Sequence, residues 1–319
     1  MHHVDRDKCV QYLAGRSSKL KDKMKVKTLD ECYESQPNLK KEDVKLLQDW
    51  MSKQSHLPKI DEIKIIIFLH SCYYKIEQAK TCIENFYTLR AHWPEFSQNR
   101  DINSKGLQVS LQAVLLTVLP LRTKQNYVIM YSRLMDRNPD AYDTLNQIKL
   151  FDMSVWMWYK YEGPSDGQVL VIDMEGGTFS HLMRVNLVHL KKHMYYVQEA
   201  LPVRLKAIHM INVSPITDKL VSMMKPLMKK EMMDLMHIHS KIDSVFDHIP
   251  KEALPNELGG QAGTFKELHD KQIKLTMDHA QYSIQDEAEI ADESRRQGKP
   301  KNLNDVFGIE GTFKKLDID

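Results

Sequence analysis

The sequence predicts an α/β fold in which a small all-helical region precedes a mostly parallel sheet. Three observations predict it. Beyond about residue 105, β-rich stretches alternate with stretches of helical period, the order that parallel crossovers produce. Residues 168–173 (QVLVID) show almost no polar alternation, the mark of a strand buried on both faces. Residues 205–228 change period midway. Ile208, Met210 and Ile211 sit in a strand-like run, whereas Leu220, Val221, Met224, Leu227 and Met228 fall at helical spacing.

Taken in order, residues 1 to about 37 are polar, and Lys19, Lys21, Lys23, Lys25 and Lys27 alternate along them. They read as a solvated arm, with contact to acidic lipid as the functional alternative. Asn38 is placed to cap a helix over residues 39–51, with Glu42 and Asp43 in its first turn. Asp61 and Glu62 open a second helix. Residues 75–92 form a third, with the stripe Ile76, Ala79, Ile83, Phe86 and Leu89, stopped by Pro94. Residues 1–105 are therefore expected to be an N-terminal helical domain with a polar arm.

Residues 126–131 (NYVIMY) are β-rich, and 148–161 make a helix carrying Phe151, Val155, Trp156 and Trp158. A Gly-Pro-Ser turn leads into the 168–173 strand. Residues 182–201 are read as one helix ending at Pro202, and a short strand is expected around 235–239. Pro250, Pro255, Gly259 and Gly260 close a second domain, 106–262. Residues 263–319 are read as a C-terminal helix and tail, with 285–304 extended or mobile.

Composition excludes several functions. A net charge of +2 over 319 residues gives no bulk attraction for nucleic acid. Cys9, Cys32, Cys72 and Cys82 form no CxxC pair and read as reduced thiols. The apolar runs 65–69 and 114–121 fall short of the ~18 residues that span a bilayer. No secretory pattern follows Met1, so a cytoplasmic location is expected. There is no GxxxxGK[ST], no GxGxxG after a strand and no GxSxG, so no enzyme is expected and no cofactor. His189 and His193 lack a third ligand, and His237 and His239 are read as facing opposite sides of a strand, so no metal is expected.

The positive signal is apolar. Met223, Met224, Met228, Met232, Met233 and Met236 crowd one stretch. Such a stripe is ordinarily core packing, but methionine suits surfaces that must repack.

Several segments together resemble the CRAL-TRIO lipid-binding family. They are QVLVIDMEG at 168–176, FSH at 179–181, LPVRLKAIHMIN at 201–212, MKPL at 224–227, HIH at 237–239 and LPNELGG at 254–260. The ending is similar to that of insect members related to alpha-tocopherol transfer protein and cellular retinaldehyde-binding protein. The resemblance implies a sheet of about five strands, helices on one face, and a helical lid over an apolar pocket on the other. It implies intracellular binding and transfer of a retinoid, tocopherol, carotenoid or related isoprenoid by a monomer that touches membranes transiently. By position, it assigns the pocket to Tyr131, Phe151, Ser154, Trp158, Gln168, Leu170, Ile172, Phe179, Val197, Leu201, Ile208, Met210, Leu220, Val221, Met224 and Met228. Tyr131, Ser154 and Gln168 are its expected polar contacts.

Arg204 and Lys206, with Lys225, match the cations by which relatives read phosphoinositides, and a phosphoinositide-binding trafficking adaptor is the alternative function. Glu231 and Leu235 stand where the family places basic residues, which lowers the expected headgroup affinity. Gly177 stands where the tocopherol carrier has an aromatic, which reshapes one wall.

Overall fold

The computed structural model describes residues 26–307. The arm lysines Lys19, Lys21, Lys23 and Lys25, and the end of the chain from residue 308, lie outside the described residues. Within the stretch read as a polar arm, Thr28 caps a short helix, α1 (Leu29–Ser35), through a reciprocal box with Glu31. Helices α2 (Lys41–Ser52), α3 (Glu62–Ser71) and α4 (Ile76–His92) follow. Asp61 caps α3, its carboxylate accepting from the Lys64 N–H at 2.7 Å, and nearly all of α3 is buried. Pro94 ends α4 and opens the one-turn α5 (Pro94–Ser97), and α6 (Lys105–Ala113) leads into the sheet.

The sheet has five strands in chain order: β1 (Val114–Arg122), β2 (Val128–Leu134), β3 (Gln168–Asp173), β4 (Leu205–Ile211) and β5 (Met236–Ile238). β1 pairs antiparallel with β2, and every other pairing is parallel. Helix α7 (Thr144–Glu162) connects β2 to β3. The connection to β4 is two helices rather than one, α8 (Phe179–Met183) and α9 (Leu187–Glu199). The expected continuous helix breaks because Asn186 turns its side-chain oxygen to the N–H groups of Val188 and His189, at 3.0 and 3.1 Å, and so starts a new helix. After β4 come α10 (Pro215–Met224), a 3₁₀ turn (Lys225–Leu227) and α11 (Lys230–Met233), then β5.

Register sorts the strands into two faces. Met130 pairs with Leu170 and Leu170 with Ile208; Ile172 pairs with Met210. These residues share the face that carries α7 and α9. Ile129, Tyr131, Val169, Val171, Ala207 and Ile211 share the other, covered by Val245, Ile249 and Leu254 and by α12 (Phe265–Asp278). Gly260 permits that cover, since a Cβ there would lie 1.8 Å from the Leu254 carbonyl oxygen.

Residues 285–304 are a strap, not a mobile tail. After α13 (Ala280–Gln285), the N–H of Ala291 donates to the Tyr87 carbonyl at 3.1 Å and that of Asp292 to the His56 carbonyl at 2.8 Å. The chain then reaches α14 (Leu303–Phe307), where Phe307 packs edge-on to Trp93.

His237 and His239 correct another expectation. Positions two apart on a strand share a face, and both meet His209 and His248, with ring centroids 4.8–5.9 Å apart. His209 and His239 share a hydrogen bond of 2.8 Å. Among the described residues no group of three or more His, Cys, Asp or Glu is disposed to hold a metal ion. Burial, then the neighbouring histidines, pushes His209 down to about 3. Burial likewise pushes His193 down to about 4, and burial with Arg204 pushes His70 down to about 3. A histidine held below its ordinary value is neutral in the fold while the unfolded chain still takes up a proton. Stability is therefore full above about pH 6.5 and falls as pH drops towards those values. The urea midpoint is expected to be clearly lower at pH 5 than at pH 7.5, with an unchanged slope; equal midpoints overturn this.

Candidate functional site

A cavity of about 180 Å³ opens at the C-terminal ends of β2 and β3. Its floor is Val114, Leu134 and Ile172, its far wall Leu182 and Val185, and its roof Ile216 and Leu220 on α10. α10 forms here because Pro215 suits a first helical position and Ser214 makes a capping box with Thr217. Its apolar side, including the buried Val221, turns towards the sheet, while Asp218, Lys219 and Ser222 stay exposed. Gly177 lines the cavity too; a Cβ there would lie 3.8 Å from Ile216 Cγ2, so an aromatic at this position would press on α10.

Val185 also joins a second apolar cluster, which extends the site towards β5. Leu190 and Met194 of α9 pack there against Met224, Met228, Met232 and Met236, with Val197 and Leu227 beside them. The far end of the α10 segment is fastened to α9. The Gln198 amide donates to the Leu227 carbonyl at 3.0 Å and accepts from the Lys229 N–H at 2.6 Å. An ion pair between Lys229 and Glu199 lies alongside.

The sequence profile of the CRAL/TRIO domain matches residues 114–260, and that of the Pinta-like UBA domain matches residues 36–107. The chain carries a CRAL/TRIO domain. Curated relatives named alpha-tocopherol transfer protein-like, from Homo sapiens, Pongo abelii and Mus musculus, are each 24% identical over 253 residues, covering 78% of this chain and 73% of theirs. A crystal structure of Sfh5 superposes with TM-score 0.45 at 11% identity, covering 72% of this chain and 92% of that one.

Within the CRAL/TRIO domain the expected pocket residues divide. Ile172 and Leu220 line the cavity. Leu170, Ile208 and Met210 share the floor's face of the sheet. Met224 and Met228 lie in the methionine cluster, and Val197 bridges it to the aromatic core that holds Trp158 and Leu201. Phe151 packs edge-on to His193, centroids 5.6 Å apart.

Tyr131, Ser154 and Phe179 are elsewhere. Tyr131 is one position out of register with the floor: it faces α12, stacks on Phe265 and donates to Asp173 at 2.6 Å. Ser154 turns to α12, 3.5 Å from Gln272 Nε2, because the cavity-side face of α7 is taken by its aromatics. Phe179 is 52% exposed under the Lys219 ammonium. Gln168 is buried and donates to the Tyr159 hydroxyl at 3.2 Å, so its amide is already engaged.

Two of the three cations expected to read phosphoinositide are also committed. Arg204 is buried; its Nε and Nη2 donate to the His70 carbonyl at 2.8 and 2.5 Å, and Nη1 lies 3.6 Å from Asp166. Lys206 donates to the Tyr73 hydroxyl at 2.9 Å. Both hold the α3–α4 turn against β4, while Lys225 sits exposed in the turn after α10. Ile216, Met194, Gln198 and His181 were not singled out as site residues. Ile216 left a trace in the sequence as the first apolar residue of the lid's stripe, and His181 as the end of the FSH segment and the third residue after Thr178 in a capping pattern.

Proposed function

We propose that this CRAL/TRIO protein binds one small lipophilic molecule under α10 and carries it between membranes. The class we infer is a retinoid, tocopherol, carotenoid or related isoprenoid. The observation that carries the reading is the apolar cavity roofed by an amphipathic lid and continued by a methionine cluster. The names of the curated relatives support it. Burying a few hundred Å² of apolar ligand contributes on the order of 10 kcal/mol gross, of which ordering removes a large part.

The cavity of about 180 Å³ is smaller than the roughly 300–1,000 Å³ of pockets that enclose drug-sized ligands. The methionines resolve the mismatch. Their unbranched side chains repack at little cost, so the cluster fills the site without ligand and yields to it on binding. Release is read from the mouth. Phe179, Met183, Leu187 and Val188 are exposed beside it, with Lys219 over Phe179. An apolar patch edged by a cation fits the surface of an acidic bilayer.

Gln198→Ala removes two hydrogen bonds from the closed end of the lid. At about 1 kcal/mol each, ligand release to acceptor vesicles is expected to speed up by about tenfold or more. An unchanged rate overturns the latch. The reading as a whole is tested by mass spectrometry and absorption of the protein purified from its native source. A stoichiometric isoprenoid is expected, and a ligand-free protein that binds none of these classes overturns it.

A further inference from the structure

The cavity is mainly apolar, with Ser132 beside Ile172 on its floor and the other polar groups gathered at one end. There the buried His181, 7% exposed, lines the wall between Thr178 and Tyr142. Its two ring nitrogens are in different situations. Nδ1 faces the helix cap: the Thr178 N–H points to it at 3.3 Å, and the Thr178 hydroxyl at 2.8 Å. A backbone N–H only donates, so Nδ1 is the acceptor, and in the neutral ring the proton sits on Nε2. Burial holds the ring below its ordinary pKa, so it is neutral at pH 7. Nε2 is buried and has no hydrogen-bond partner. The other buried polar groups at this end are taken: Asp173 accepts from Tyr131, Arg133, Asn212 and the Glu175 N–H.

The geometry points to His181 Nε2–H as the donor that selects the ligand's polar end, a hydroxyl or carbonyl oxygen, with the apolar body lying towards Ile172 and Leu220. This rests on the lipid-carrier reading and adds to it the chemistry of the headgroup. A buried donor left unpaired is costly, so a ligand that supplies an oxygen is preferred over its hydrocarbon equivalent. An anionic head would have to leave water for an apolar cavity that offers it one neutral donor, which is costly and leaves an alcohol or aldehyde.

The test uses a matched pair of probes, phytol and phytane, delivered to the full chain from cyclodextrin. Comparing variants cancels the difference in solubility between the two probes. His181→Asn keeps an acceptor near Nδ1 for the cap but has nothing at Nε2; His181→Gln places an amide donor there. His181→Asn is expected to weaken phytol about five- to tenfold and leave phytane unchanged, with His181→Gln restoring most of the phytol affinity. In wild-type protein labelled with ¹⁵N-histidine, the His181 Nε2–H signal is expected to shift with phytol and not with phytane. Equal losses for both probes, no loss in His181→Asn, or an unmoved signal overturns the headgroup assignment and leaves the carrier reading standing. Failure of wild-type protein to bind either probe overturns the headgroup assignment, and failure to bind retinol and tocopherol as well overturns the carrier reading.

Discussion

Asp152→Ala is expected to lose about 3–5 kcal/mol of unfolding free energy, measured as a shift of the urea midpoint at pH 7.5. Asp152 is fully buried in α7. It accepts from Arg100 Nη2 at 2.5 Å and from the Tyr196 hydroxyl, and Arg90 Nη1 lies 3.8 Å away. Arg90 in turn donates to Asp286 at 2.8 Å, and Lys64 reaches the same carboxylate at 3.2 Å. This network ties α3, α4, α7 and α9 to the C-terminal strap. Removing the aspartate leaves two guanidinium groups out of water with one carboxylate between them, and an uncompensated buried charge is the costly case. A loss below about 1 kcal/mol overturns the account. The network also separates two acid effects. Burial pushes the Asp286 carboxyl up, but Arg90, Arg100 and Lys64 outweigh it and hold it well below the usual carboxylate range. A depressed carboxyl keeps its full contribution above its unfolded value of about 3.9 and loses it only as pH falls from there, so weakening already seen at pH 5 belongs to the buried histidines.

The second large effect is on transfer. Cysteines placed at 198 and 229, bridged by a short bifunctional thiol reagent in a background without other reactive thiols, fasten the lid where Gln198 now holds it. Transfer of bound ligand between vesicles is expected to fall to the uncatalysed rate and to return on cleavage of the bridge. Normal transfer by the bridged protein means that the ligand does not leave under α10. Taken with Gln198→Ala, which is expected to speed release, the pair brackets the latch from both sides. A structural disturbance at this place slows or speeds both variants alike, whereas a latch moves them in opposite directions.

Much of the fold is legible in the sequence because its signals are local. QVLVID is a central strand because the four residues between Gln168 and Asp173 are all apolar, with no polar alternation, and the structure has it over the same six residues. The start of the lid is written in Ser214-Pro215, and its amphipathic face in the spacing of Ile216, Leu220, Val221 and Met224. The C-terminal strap is not legible. Its charged residues carry no period, and they are ordered by buried partners far away in the chain, Asp286 with Arg90 above all. β1 was visible only as an apolar run, because a strand paired with its neighbour by a hairpin needs no helical crossover to announce it.

The candidate site divides along the same line. Parity along a strand placed Leu170 with Ile172 and Ile208 with Met210. It could not fix which face β2 would share with them, and Tyr131 falls on the wrong side by one residue. The sequence by itself determined the order of elements, the apolar floor and a lid rich in methionine. Only the tertiary structure decided the polar chemistry: that Arg204 is spent on the His70 carbonyl, that Ser154 and Gln168 already have partners, and that His181 keeps one buried donor unmet. The reason is physical. Apolar burial is non-directional and follows from composition and period, whereas a hydrogen bond needs two particular atoms to meet, and here those atoms come from distant parts of the chain.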